Sequence, residues 1–308
     1  HAWLSAGKSW NTGGTTVASG TLTLNGGNLG PGSLHIVQGA AVNLTANQTL
    51  SQTVTGRGNI TNSGGTATLS GDFTGFAGTY THNSTTTSSV ATSTAALSRR
   101  AAYHLASAQG SSQGLLTNVI GGNNTFDIGA LSGVTNSLLR NGGSVTGNTT
   151  LRIGHLNTDT TFAGIIGGGG GTMALTKVGH GTLTLTGTST YAGATHIESG
   201  TLMLNGALNI NSAIQILDGG RLAGTGTANG PVTVATEGIL APGNGQGGVL
   251  TLGGAVTFQD NAILATTIGS EAASLALSST PTLTGTTRIR VLPATGFTTG
   301  TYPLITGA

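Results

Sequence analysis

The sequence of 308 residues contains no cysteine, and only 6% of its residues are charged and 4% aromatic. The absence of cysteine excludes disulfides and thiolate metal sites. The ten lysines and arginines are dispersed and the net charge is only +2, so we expect no nucleic-acid partner, which would require a clustered basic face. No apolar run reaches the roughly 18 residues of a spanning helix, so the sequence predicts no membrane span.

The sequence is instead rich in glycine, with 55 residues, and in short segments that alternate apolar and polar side chains. The stretch 175–206 contains two of them, one around Leu183 and Leu185 and one around Leu202 and Leu204. Alternation of this kind indicates half-buried strands, and a glycine follows each segment where a corner is expected. Because 36% of residues are hydrophobic and the charge is low, disorder is disfavoured and the fold class is all-β.

The same pattern occurs twice in one register. Residues 13–44 align without a gap with residues 193–224, and the identical positions include a Ser-Gly-Thr-Leu segment at 19–22 and 199–202. Such self-similarity is typical of a solenoid, in which each coil buries its apolar face against neighbouring coils. We expect coils of about 20–25 residues.

The motifs resemble a known family. The segment L-T-K-V-G-H-G-T-L-T-L-T-G-T-S-T-Y-A-G-A-T-H-I-E-S-G-T-L resembles the autotransporter-associated β-strand repeat, which marks passenger regions of bacterial autotransporters and related giant surface proteins. Further matches lie at residues 13–26, 129–133, 151–166 and 238–244. The resemblance implies a right-handed parallel β-helix, or β-solenoid, in the form of a single elongated rod. It also implies a protein that is exported across the outer membrane and is secreted or displayed at the bacterial cell surface.

Residues 1–308 are therefore predicted to form a single β-helix domain, with a loop or irregular coil near residues 82–112. Within it, residues 94–109 are ambiguous, because their alanines favour a short helix whereas Ala101, Tyr103 and Leu105 alternate. The resemblance favours extended structure there. The chain begins at His1 rather than Met, which predicts a processed product, and the strand pattern predicts continuation beyond Ala308.

The residues that could carry chemistry are few and scattered. The acidic residues are Asp72, Asp127, Asp159, Glu198, Asp218, Glu237, Asp260 and Glu271. The histidines are His1, His35, His82, His104, His155, His180 and His196. Glycoside hydrolysis needs two close carboxylates, and a zinc site needs three or four ligands, of which His180 and His196 would supply two at most. We expect no catalytic residue, no cofactor and no metal site.

The sequence thus predicts a structural protein rather than an enzyme. Its function would be adhesion, a surface stalk or an extracellular fibre, and its partners would be glycans or other cell-surface ligands. End-to-end self-association through the exposed terminal coils, residues 1–25 and 285–308, is also expected, because unpaired strand edges can pair with another copy. A polysaccharide-active enzyme on the same scaffold and a specific host-receptor adhesin are the alternatives, since stacking can bring distant acids together.

Overall fold

The computed structural model describes residues 2–5, 12–27, 29–107, 114–245, 247–268, 273–293 and 302–307, with the backbone alone for residues 2–5. The chain divides into two compact units. The first comprises His1–Leu156 and Phe162–Met173, and the second comprises Asn157–Thr161 and Ala174–Ala308. Both consist of short parallel strands, which confirms the predicted all-β parallel solenoid. The prediction that residues 1–308 act as one domain stays a prediction.

The strands that lie within the first unit are short, most of them having three or four residues. In chain order they are β1 Ala2–Ser5, β2 Thr15–Val17, β3 Thr21–Asn25, β4 Leu34–Ile36, β5 Ala41–Leu44, β6 Gln48–Leu50, β7 Val54–Gly56, β8 Asn59–Asn62, β9 Ala67–Leu69, β10 Thr79–His82, β11 Ser88–Ala91, β12 Ala102–Leu105, β13 Gly114–Thr117, β14 Asn123–Ile128, β15 Ala130–Gly133, β16 Leu138–Asn141 and β17 Asn148–Ile153, with β19 Ile165–Gly167 further along. A 3-10 helix, η1, spans Thr94–Ala96 between β11 and β12.

The remaining strands belong to the second unit or fall at its sequence boundaries. The two boundary strands are β18 Thr160–Phe162 and β20 Thr172–Lys177. Those of the second unit are β21 Thr182–Leu185, β22 Thr195–Ile197, β23 Gly200–Leu204, β24 Ala207–Leu208, β25 Ile214–Ile216, β26 Gly220–Gly224, β27 Thr227–Ala228, β28 Val232–Val234, β29 Ile239–Pro242, β30 Gly248–Leu252, β31 Val256–Phe258, β32 Ile263–Ile268, β33 Ala273–Leu277, β34 Thr282–Leu283, β35 Arg288–Pro293 and β36 Ile305–Gly307.

Successive coils place equivalent strands side by side. In the first unit the order β1-β3-β5-β8-β10-β12-β15 forms one sheet, and β6-β9-β11-β13-β16-β19 forms another. In the second unit the orders β21-β23-β26-β29-β32-β35 and β24-β27-β30-β33-β36 do the same. Along the first sheet of the second unit, Leu183 pairs with Leu202 and Leu202 with Leu222, so one turn of chain takes about 20 residues, in the range expected from the repeats.

The repeat seen in the sequence is also a repeat in structure. Strands β2, β3, β4 and β5 lie at the positions of β22, β23, β25 and β26 when the numbering is shifted by 180 residues. The corner glycines agree in conformation, since φ is 70° at Gly20 and 65° at Gly200. Positive φ favours glycine because a Cβ atom is strained there. The two segments therefore build the same coil from the same strand and corner signals.

Inward-facing side chains form columns that run from coil to coil. In the second unit the column of Leu183, Leu202 and Leu222 is almost completely buried. In the first unit the corresponding column changes from aliphatic to aromatic, because Ile60 pairs with Tyr80 and Tyr80 with Tyr103. The Tyr80 and Tyr103 ring centroids are 6.1 Å apart. Burial of such columns is the main stabilising contribution in a solenoid, in which each coil contacts only its neighbours.

The ambiguous stretch contains both of the predicted structures. A single 3-10 turn spans Thr94–Ala96, and strand Ala102–Leu105 then pairs in parallel with β10 and β15. The extended structure favoured by the resemblance is thus present at Ala102–Leu105. The buried Tyr103 hydroxyl accepts a hydrogen bond from the Ser98 backbone N–H at 2.7 Å, which ties the turn to the strand. Residues 108–113 lie outside the described residues.

Candidate binding surface

The first unit presents a row of polar side chains on the outer face of its first sheet. The row contains Thr23, Asn43, Thr61, Thr81, His104 and Ser132, which occupy neighbouring register positions. His104 Nδ1 lies 2.9 Å from Ser132 Oγ, so this ring is oriented by the next coil. Apart from the buried Thr23, these side chains are half-buried and present hydroxyl, amide and imidazole groups to solvent. Such a face suits hydrogen bonding to a polar partner.

The outer face of the second unit is different. Ala223, Ala241 and Ala265 form a buried apolar cluster with Ile263, against which Met203 and Ile239 are packed. Alanine in place of threonine at these positions removes the hydroxyl groups that the first unit exposes. The polar face is therefore a property of particular coils and is not uniform along the sequence.

A groove of about 370 Å³ opens on the outer surface of the first unit. Its lining residues are His35, Val37, Gln38, Gly56, Arg57, Gly75, Ala77 and Arg100. Two guanidinium groups and one imidazole thus share a groove whose lining contains no carboxylate. His35 Nδ1 lies 2.9 Å from Thr55 Oγ1 on the next coil, which orients the ring. A second hollow, of about 500 Å³ and lined by residues 15–19, 21 and 22, carries no charged side chain.

The acidic residues that the sequence placed apart remain engaged in separate local contacts. Asp72 accepts hydrogen bonds from the backbone N–H and the hydroxyl of Thr74, which lower its pKa. Asp127 lies 2.9 Å from His155 Nε2, and Asp159 accepts a hydrogen bond from Thr182 N–H at 2.7 Å. In the second unit Glu237 forms an ion pair with Arg288. Glu271 lies outside the described residues.

The histidines are likewise distributed among different contacts. His180 contacts Ser199, whereas His196 lies on β22 between Thr176 and Gln215, so the two occupy different columns. His82 is buried, with its Nδ1 2.9 Å from Ser89 Oγ. Among the residues that the structure describes, no group of three or more His, Asp or Glu side chains is placed to hold a metal ion. His1 lies outside the described residues.

Lys177 is a buried cation that sequence reasoning missed. Its Nζ donates hydrogen bonds to the carbonyls of Val178 and Gly179 at 2.8 Å each and to that of Ser199 at 3.2 Å. Burial lowers the pKa of Lys177 to about 8, although Asp159 acts in the opposite direction. The ammonium group thus joins the corner after β20 to the corner after β22. The alternation of Leu175 with Lys177 was the available signal, because it places both on one face of the strand.

The charged groove was also missed, because Arg57 and Arg100 are far apart in the sequence. The available signal was the coil period: Val37, Arg57 and Ala77 are spaced by 20 residues, so their side chains stack on successive coils. The longer connection to Arg100 hides this relation from any fixed repeat.

The last described coil exposes apolar side chains. Ile289 pairs with the buried Leu264, and Leu283 pairs with the buried Phe258, yet both Ile289 and Leu283 are exposed. Ile305 is exposed in the same way beyond Leu275. These positions continue the inward columns of the preceding coils. End-to-end association through the terminal coils stays a prediction.

Comparison with known proteins identifies the class of sequence to which this surface belongs. Residues 175–204, which contain Lys177 and strands β21 to β23, match the family described as passenger-associated-transport-repeat. The chain therefore carries a repeat of autotransporter passengers, as the sequence motifs predicted. The match covers the coils in which the repeat pattern is clearest.

A protein of similar sequence is the "Adhesin BmaC autotransporter" of Brucella suis biovar 1 (strain 1330). It is 32% identical over 99 residues, which make up 32% of this chain and 3% of that protein. The alignment therefore spans a small share of the relative's length. Within the described residues, no helix has the length and apolar character needed to cross a bilayer.

Proposed function

We propose that this chain is a non-catalytic structural β-solenoid that is secreted or displayed at a bacterial cell surface and serves adhesion. The passenger-type repeat at residues 175–204 supports export, and the similarity to an autotransporter adhesin supports attachment as the function. The partner would be a glycan or another polar ligand of a cell surface. The observation that carries the proposal is this repeat within a parallel solenoid whose outer face is a row of hydroxyl, amide and imidazole groups.

The organisation of the polar groups supports attachment rather than catalysis. Hydrolysis of a glycosidic bond requires two carboxyl groups about 5–10 Å apart on either side of the scissile bond. Asp72, Asp127 and Asp159 are instead held by contacts with Thr74, His155 and the backbone of Thr182, respectively. Adhesion needs no such pair, because many weak contacts on a repetitive surface add through multivalency.

The test is attachment of the whole 308-residue chain to cells. Latex beads coated with the folded chain, with the heat-unfolded chain or with serum albumin would be counted on epithelial monolayers under flow. We expect several-fold more bound beads with the folded chain than with either control. Equal retention of all three would reject an adhesive function. Release of reducing ends from polysaccharides incubated with the chain would instead favour an enzyme.

A further inference from the structure

We propose that the groove of His35, Arg57 and Arg100 binds an acidic glycan, a chain that carries carboxylate or sulfate groups. This inference rests on the proposed adhesive function and names the ligand class for one site on the first unit. The groove is not an element of the matched repeat, which lies at residues 175–204.

The two arginines belong to one column of residues. Ile36 pairs with Gly56, and Gly56 bridges to Phe76, so Arg57 and Ala77 follow each other on adjacent coils. Thr79 pairs with Ala102, which places Arg100 next to Ala77 in the same register. At about 4.8 Å per coil, the Arg57 and Arg100 backbones are about 9.6 Å apart. The groove therefore offers two positive charges in line along the stacking direction of the coils.

These charges are not neutralised by the protein. In the described part of the chain, neither the Arg57 nor the Arg100 side chain has an ion pair or a hydrogen bond, and both are exposed. Asp72, the carboxylate nearest in sequence, is not in the lining and is held by Thr74. Guanidinium groups bind carboxylate and sulfate oxygens through parallel N–H donors, so an unneutralised pair attracts anions.

Small residues make room for the ligand between the charges. Gly56, Gly75 and Ala77 lie between the two arginines in the lining. Gly56 has φ of 101°, and a Cβ atom there would lie 2.0 Å from the carbonyl oxygen of Ile36. Close approach of the coils therefore requires glycine at this position and keeps the groove open. Gln38 and the His35 ring supply neutral hydrogen-bonding groups that match sugar hydroxyls.

The chemistry favours a glycan over a nucleic acid. Binding of single-stranded nucleic acid uses exposed aromatic side chains for base stacking together with an extended basic channel. In the described part of the first unit, the phenylalanine and tyrosine side chains are buried, as Phe73, Phe76 and Tyr80 illustrate. Two arginines and one histidine form a short anionic subsite, which suits a chain whose negative charges are separated by neutral sugar atoms.

The experiment measures binding of the whole chain to heparin, to polyglucuronate, to neutral dextran and to single-stranded oligothymidylate, by isothermal titration at low and moderate salt. The double variant Arg57→Gln/Arg100→Gln removes both charges from the groove. Arg99→Gln is the matched control, because Arg99 is exposed and adjacent to Arg100 but is absent from the lining. Circular dichroism would verify that the variants retain β structure.

We expect wild-type chain to bind heparin, polyglucuronate or both, and to ignore dextran. The double variant should bind about 10-fold more weakly and Arg99→Gln less than about 2-fold more weakly, in line with exposed ion-pair energies. Binding should weaken as salt rises. Equal binding by wild type and the double variant, binding of oligothymidylate in preference to both glycans, or no binding to either acidic glycan would overturn the inference. Undiminished attachment of beads coated with the double variant would leave the adhesive function standing and reject this groove as its site.

Discussion

Replacement of Lys177 by methionine tests whether a buried cation holds the corners of the repeat together. Methionine preserves an unbranched side chain of similar length but removes the ammonium group. The carbonyls of Val178, Gly179 and Ser199 then lose a donor that lies 2.8, 2.8 and 3.2 Å away. A hydrogen bond from a charged donor contributes a net of about 1.5–3 kcal/mol, so the loss is large for one side chain.

Burial of the charge offsets part of that gain. The pKa of Lys177 is lowered from 10.5 to about 8, which corresponds to about 3.4 kcal/mol against the ionised form. Three charged hydrogen bonds outweigh this penalty, and we expect Lys177→Met to lower the free energy of local opening by about 2–4 kcal/mol at pH 7. Because Lys177 is almost fully buried, solvent reduces the effect little.

The assay is amide hydrogen exchange in peptides from residues 175–204, followed by mass spectrometry. A local measurement suits a solenoid, whose coils open without requiring global unfolding. Exchange should accelerate by about 30- to 900-fold, since about 1.4 kcal/mol corresponds to a factor of ten. Thr184→Ala is the control, because this half-buried threonine of β21 faces outward in the next strand. Equal exchange rates in the two variants would refute the role assigned to the ammonium group.

The same residue predicts a pH dependence of stability. Between pH 8 and 10.5 the unfolded chain keeps the Lys177 proton whereas the folded chain loses it, so the unfolded state binds more protons. Stability of the wild type should therefore rise with pH across this window, by up to about 3.4 kcal/mol. Lys177→Met should lack the rise. A wild-type profile that falls or stays flat relative to the variant would show that the folded-state pKa is not lowered.

Three further predictions concern the first unit and the last coil. Ser89→Ala should destabilise the first unit by about 2–4 kcal/mol in urea unfolding, because Ser89 Oγ contacts Tyr80 Oη at 2.6 Å and two further buried polar groups, whereas Ser88→Ala should cost less than about 0.5 kcal/mol. Gly56→Ala should lower the melting temperature by several degrees through backbone strain, and Gly143→Ala, where a Cβ atom meets open space, should not. If the last coil associates with another copy, negative-stain electron microscopy at rising concentration should show end-to-end assemblies that Ile289→Glu disperses; discrete particles at every concentration would exclude this association.

The sequence alone determined the local elements and the coil repeat. Alternation around Leu183 and Leu202 predicted strands that the structure places side by side, and the 180-residue shift predicted equivalent strands at Thr15–Val17 and Thr195–Ile197. The reason is physical: inward and outward positions alternate with period two, and corners with positive φ favour glycine. These signals lie within a few residues of one another, so they are readable without tertiary contacts.

Only the tertiary structure decided which side chains from different coils meet. Arg57 and Arg100 share a groove because Ala77 occupies the coil between them, and the connection lengths on the two sides of Ala77 differ. The threefold carbonyl contact of Lys177 likewise depends on Ser199, which comes from the following coil. Register across coils is set by the packing of whole columns and by corner geometry. A linear pattern specifies neither the lengths of the connections nor the side chains that they bring together.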